Sequence, residues 1–138
     1  MATQFMAWTP KMSVGVKALD DDHKELVSIL NALHNGIVSR LGTVTLGNVL
    51  DDLASYVKIH FAREEEYFAQ TEYPAKAAHI LEHQNMAAKI MVIRARYNKG
   101  QFESLSLETM EFLKDWLYEH ILGSDQMYKD HFKANGIH

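Results

Sequence analysis

The chain has 138 residues, 47% of them hydrophobic, enough for one compact domain with a single sizeable core. A formal charge of -4 without any basic cluster argues against nucleic acid or an anionic membrane surface as the main partner. The absence of cysteine excludes disulfides, thiolate ligands and iron-sulfur clusters, so any metal must be held by nitrogen and oxygen.

Residues 1–18 read as an N-terminal arm and residues 19–132 as a bundle of helices, together a single domain over 1–138. The arm lacks the continuous apolar stretch of a secretory signal, and no run approaches the ~20 apolar residues that cross a bilayer. A cytoplasmic protein with no membrane insertion is the expectation. The first helix is predicted from about Asp20 to Arg40, with Leu19, His23, Leu26, Leu30, Leu33 and Ile37 facing inward. Asp20 to Asp22 suit a helix N-terminus, and Gly42 falls near the helix end.

The second helix is predicted from about Thr45 to Gln70. Its inward stripe runs through Leu46, Val49, Leu53, Val57, His60, Glu64 and Phe68, and leaves Arg63, Glu65 and Glu66 largely aside. Pro74 suits the first turn of a third helix, where a missing amide donor costs little. That helix turns His79, His83, Met86, Ile90, Ile93 and Tyr97 inward until the polar turn Asn98 to Gln101. A fourth begins near Ser106 and carries Met110, Leu113, Trp116, Leu117 and His120. There the period slips. Regular spacing places the next inward residue at Ser124, whereas the acidic candidate is Asp125, followed by Tyr128 and Phe132. Five residues turn a side chain by roughly 140° in an ideal helix, so His120 and Asp125 converge only if a π-bulge or local break lies near Gly123.

The fold expected is an all-α, antiparallel, up-down four-helix bundle. His23 and His60 are 37 residues apart, and so are His83 and His120. Two similar helical hairpins then return the chain to one height, because each helical residue rises about 1.5 Å. One layer gathers His23, His60, Glu64, His79, His83, His120 and Asp125. A lone histidine on an apolar face is more often a satisfied core residue than a ligand. Burying five imidazoles and two carboxylates together, however, costs several kcal/mol for each group left without a partner. Two metal ions, bridged by Glu64 and Asp125, would satisfy them all. Imidazole suits iron, zinc, copper and nickel alike, so the donor set alone does not choose the metal. His34 lies about 16 Å further along its helix than His23 and cannot reach the layer. His131 and His138 lie beyond it and read as surface or local contacts.

The runs Asp-Asp-His-Lys-Glu-Leu around His23, His-Phe-Ala-Arg-Glu-Glu at 60–65, His-Ile-Leu-Glu-His at 79–83 and His-Ile-Leu-Gly-Ser-Asp at 120–125 resemble, in order and spacing, the hemerythrin family, in particular bacterial hemerythrins. Trp8 in the arm also fits. The resemblance covers nearly the whole chain and makes it one hemerythrin-like domain. It implies a non-haem di-iron centre with an oxo or hydroxo bridge that binds dioxygen reversibly, for storage, delivery or sensing. By the family's pattern, His79, His83 and His120 hold one iron and His23 and His60 the other. Glu64 and Asp125 bridge them, and one position on the second iron stays open. Leu26, Phe61, Trp116, Leu117 and Ile121 match positions that line the family's oxygen pocket, although ordinary core packing would also place apolar residues there.

On this reading the protein is an oxygen binder, not an enzyme. The alternative is a di-iron redox enzyme acting on peroxide, nitric oxide or dioxygen. No extra acid or base stands beside the ligand motifs, but Tyr56, Tyr67 and Tyr118 lie within a few residues of ligands, which leaves weak peroxidase-type chemistry open. A sensor would have to pass its signal to a separate protein acceptor. No conspicuous exposed apolar face is expected, which favours a monomer.

Overall fold

The computed structural model describes residues 4–138, so Met1 to Thr3 of the expected arm lie outside the described residues. Helices α1 (Lys17–Val38), α2 (Thr43–Thr71), α3 (Lys76–Asn98) and α4 (Leu107–Glu119) form the bundle. A π turn over His120–Ser124 joins α4 to the short α5 (Asp125–Met127) and α6 (Lys129–Ala134). Helix α1 packs on α2 and α4, and α2 on α3, which gives the up-down order of four. The described residues include no strand and no helix long and apolar enough to cross a membrane.

The helix ends depart from expectation for identifiable reasons. Helix α1 starts at Lys17 rather than near Asp20, because Asp20 does not cap it. Its carboxylate reaches back to the arm and accepts from Ser13 Oγ at 2.6 Å and from the Val14 amide at 2.8 Å. The left-handed residue that ends α1 is Arg40, at φ 56°, with the Leu41 amide closing on the Gly36 carbonyl. Gly42 instead precedes α2 as its N-cap. Glu72, at φ 52°, ends α2 in the same way, with the Tyr73 amide on the Phe68 carbonyl. Pro74 is not in α3. It occupies a turn closed by the Lys76 amide on the Tyr73 carbonyl, ahead of the helix. Ser106 caps α4, accepting from the Thr109 amide at 3.1 Å.

Two apolar clusters fill the bundle; α1, α2 and α3 run through both, α4 lies in the larger and α6 in the smaller. Leu26, Val57, Phe61, Met86 and Leu117 belong to the larger cluster; Leu19, Phe68, Tyr73, Tyr128 and Phe132 belong to the smaller. The histidines and carboxylates predicted as ligands fall between these two sets along α1, α2 and the α4–α5 junction. They form a polar layer with a dry cluster on either side. The arm closes one flank: Asn31 holds both backbone groups of Met6 at 2.8 Å, and Tyr118 Oη lies 3.0 and 3.1 Å from the Ala7 amide and carbonyl. An apolar groove of about 540 Å³ also opens between α3 and α4, where Val92 and Phe112 are 57% and 39% exposed. An exposed apolar face therefore exists, contrary to the expectation from sequence.

Candidate metal centre

His23, His60, Glu64, His79, His83, His120 and Asp125 are all buried and all converge. Helical rise and register place the first five, since each lies on the inward stripe of α1, α2 or α3. The last two need the π turn. It widens the helix by one residue between His120 and Asp125 and brings His120 Nε2 to 3.0 Å from Asp125 Oδ1. The same Oδ1 lies 3.0 Å from His79 Nε2, while Oδ2 lies 3.1 Å from His23 Nε2. Asp125 thus faces two groups of imidazoles with two different oxygens.

Glu64 is arranged differently. Its Oε1 lies 3.0 Å from His83 Nε2, 3.4 Å from His60 Nε2 and 3.8 Å from His79 Nε2. Its Oε2 accepts a hydrogen bond from the buried Tyr128 hydroxyl. Glu64 therefore meets both groups with one oxygen, rather than with one oxygen for each.

Despite these separations, the inward atoms form no hydrogen bonds. His23 Nε2, His79 Nε2, His83 Nε2, His120 Nε2, Glu64 Oε1 and both Asp125 oxygens are buried without a partner. A first-row metal binds imidazole nitrogen at about 2.1 Å, so neighbouring ligands around an octahedral ion stand about 3.0 Å apart. Four of the six spacings, at 3.0 or 3.1 Å, match the edges of such a polyhedron, and the two from Glu64 to His60 and His79 are longer. Two four-residue groups meet the requirement, Glu64 with His79, His83 and His120, and His23 with His60, Glu64 and Asp125. The donor set, its spacing and its unpaired inward atoms fit a pair of metal ions.

The electrostatics agree. Burial and the neighbouring Asp125 charge press Glu64 towards its neutral form, yet the surrounding histidines hold it well below the usual carboxylate range. Burial likewise opposes ionisation of Asp125, but His120, His23 and His79 keep it strongly acidic. Burial disfavours a proton on His79, and the neighbouring Asp125 and Glu64 carboxylates outweigh it, raising His79 to about 9. The layer attracts positive charge.

Three carboxylates grip the outer nitrogens of the imidazoles, and the sequence reading set them aside. His60 Nδ1 donates to Asp22 at 2.9 Å, His83 Nδ1 to Glu65 at 3.0 Å and His120 Nδ1 to Glu82 at 3.0 Å. Each bond fixes the tautomer that aims the Nε2 lone pair inward. With Tyr128, they correct the expectation that no extra acid or base stands beside the ligands. A signal was available: Asp22 and Glu82 immediately precede His23 and His83, so the 37-residue echo extends to an acidic neighbour. Burial works against the Asp22 charge, yet His60, Tyr56 and Arg63 together keep it below its ordinary range.

On the side of the larger cluster lies an apolar cavity of about 20 Å³, lined in part by Leu26, Phe61, Trp116 and Leu117. Leu30, Leu53, Ile90 and Leu113 extend the lining; each is seven residues from a histidine of the layer, about 10 Å along its helix. Phe61 stacks on His83 with centroids 3.8 Å apart, and Trp116 stacks on His120 at 4.5 Å. Ile121 is fully buried in the same cluster but does not line the cavity. Of the other histidines, His34 stacks on Phe5 and His131 Nε2 donates to the Thr71 carbonyl at 2.9 Å.

A family model described as the hemerythrin HHE cation binding domain matches residues 14–132. The bacteriohemerythrin of Stenotrophomonas maltophilia (strain R551-3) is 34% identical over 130 residues, which cover 94% of this chain and 83% of that protein. That of Methylococcus capsulatus is 31% identical over 124 residues, covering 89% and 93%. A crystal structure of wild-type hemerythrin superposes with a TM-score of 0.85 at 29% identity, over 91% of this chain and 96% of that one.

Proposed function

This chain belongs to the hemerythrin family, and from that premise we propose that it binds dioxygen reversibly at a di-iron centre in the polar layer, to store, deliver or report oxygen. The observation that carries the proposal is the convergence of seven buried side chains, six of which hold inward atoms without a partner. His79, His83 and His120 would hold one iron, His23 and His60 the other, and Glu64 and Asp125 would join them. Two ferrous ions bound there would supply the electrons that hold dioxygen and take them back on release.

The chain's own residues do the rest. Asp22, Glu65 and Glu82 orient imidazoles from outside. Tyr128 holds the outer oxygen of Glu64 and so keeps Oε1 turned inward. Leu26, Phe61, Trp116 and Leu117, with Leu30 and Leu113, offer a dry space for a small apolar gas and exclude the water that would protonate and displace it. Redox turnover of peroxide, nitric oxide or dioxygen would need a proton donor on that cavity wall. The phenol that touches the layer, Tyr128, approaches from the opposite cluster, which supports carriage over turnover.

Anaerobic iron titration followed by addition and removal of dioxygen tests the proposal. Two irons per chain and a visible absorption band that disappears on deoxygenation are expected. Immediate and irreversible conversion to a ferric spectrum would move the function to redox chemistry, and failure to take up two irons would overturn the centre.

A further inference from the structure

The two halves of the centre are built on the same plan and finished differently. In one, Asp22 precedes His23 and grips His60 from across the bundle; in the other, Glu82 precedes His83 and grips His120. The Asp22 side chain is 4% exposed and the Glu82 side chain 46%. Asp22 also has two further partners. Arg63 Nε lies 3.0 Å from the same oxygen that His60 uses, and the Tyr56 hydroxyl donates to the other oxygen at 3.0 Å. Burial, with Asp22 beside it, pushes Tyr56 up to about 12, so its hydroxyl keeps its proton at any physiological pH and always donates. Glu82 makes a single bond, to His120, and solvent can replace it.

We propose that Asp22 is the positioning residue of the His23–His60 half, a buried hub that locks His60 through Arg63 and Tyr56, and that Glu82 is its weaker counterpart on the other half. This rests on the metal-centre reading above. Asp22 needs no contact with the metal. It couples α1 to α2 at the height of the ligands, orients the His60 ring and makes it a stronger donor. An outer partner of this kind is worth about 10- to 100-fold in metal affinity. A half-exposed ion pair such as Glu82 with His120 is worth about fivefold or less.

The test is cobalt(II) titration of the full-length protein in the presence of a competing chelator, which resolves two binding steps. The step abolished in His60→Ala belongs to the His23–His60 half. Asp22→Asn preserves the shape and one acceptor but removes the charge. It should weaken that step by about 10- to 100-fold and leave the other within about threefold, with the metal-free helix content unchanged. Glu82→Gln should shift only the other step, by about fivefold or less. Should Asp22→Asn fail to fold, Arg63→Met keeps the apolar stem, frees one side of Asp22 and should weaken the same step by several-fold. Equal weakening of both steps, or no change in either, would overturn the role of Asp22. A wild-type protein that takes up fewer than two cobalt ions would instead remove the metal centre itself, and the inference with it.

Discussion

Tyr128→Phe isolates one bond of the polar layer. Tyr128 and Glu64 are both fully buried, and the tyrosine ring packs against Phe132 at 4.5 Å and against Phe68 and His79 at 5.6 Å. Phenylalanine keeps those contacts and opens no cavity, so the change is confined to the hydroxyl. The phenol is a dependable donor, because burial and the two carboxylates push its ionisation far above the usual range. A hydrogen bond to a charged acceptor contributes about 1.5–3 kcal/mol, and losing it leaves Glu64 Oε2 buried without its donor. For a chain of this length a loss near 2 kcal/mol lowers Tm by about 7 °C. Urea unfolding of the metal-free variant should show a lower midpoint with an unchanged slope. A loss below about 0.5 kcal/mol, the size of an ordinary surface effect, would mean that the histidines alone hold Glu64, and would refute the assignment of Tyr128 as its anchor.

The cavity makes a paired prediction. Leu26→Thr puts a hydroxyl on its wall and should accelerate autoxidation of the iron-loaded protein several-fold, followed by loss of the oxygenated spectrum. Ile121→Thr, buried but off the wall, should do so much less, and equal acceleration would disconnect the cavity from oxygen binding. Metal binding needs His79 neutral, and in the metal-free chain it is raised from 6.5 to about 9. Apparent metal affinity should therefore climb as pH rises towards 9 and level off above it. The stability that protonated His79 gives the metal-free chain runs the other way, complete below pH 6.5 and lost through about 9. Parallel calorimetry and denaturation across that range check both signs. Glu72→Gly relieves a left-handed non-glycine residue, at φ 52°, and should stabilise by about 1 kcal/mol in urea unfolding without altering metal uptake.

What could be read from the chain alone divides along a physical line. Inward positions within a helix follow from periodicity, so the convergence of His23, His60, Glu64, His79 and His83 is visible without coordinates. The phase slip at Asp125 even announces the π turn that carries it. Contacts between helices depend on register and side-chain direction, which local spacing does not contain. Asp22 reads as part of a helix N-terminus, Glu65 falls off the inward stripe and Glu82 has no assigned role; only the assembled bundle places them on imidazoles of another helix. Ile121 shows the same limit from the other side, since adjacency to His120 did not bring it to the cavity. Helix ends were misplaced where Arg40 took a conformation normally left to glycine, where Pro74 formed a turn ahead of α3, and where Asp20 served the arm instead of the helix.

Isotope recovery addresses the central claim most directly. The iron-loaded, reduced protein is equilibrated with an equal mixture of doubly light and doubly heavy dioxygen, then purged and the gas analysed by mass spectrometry. Reversible binding at an intact centre should return one dioxygen per two irons, with no mixed-isotope molecules and no label in water. Label appearing in water, with ferric iron left behind, would contradict the account and identify a centre that consumes oxygen instead of carrying it.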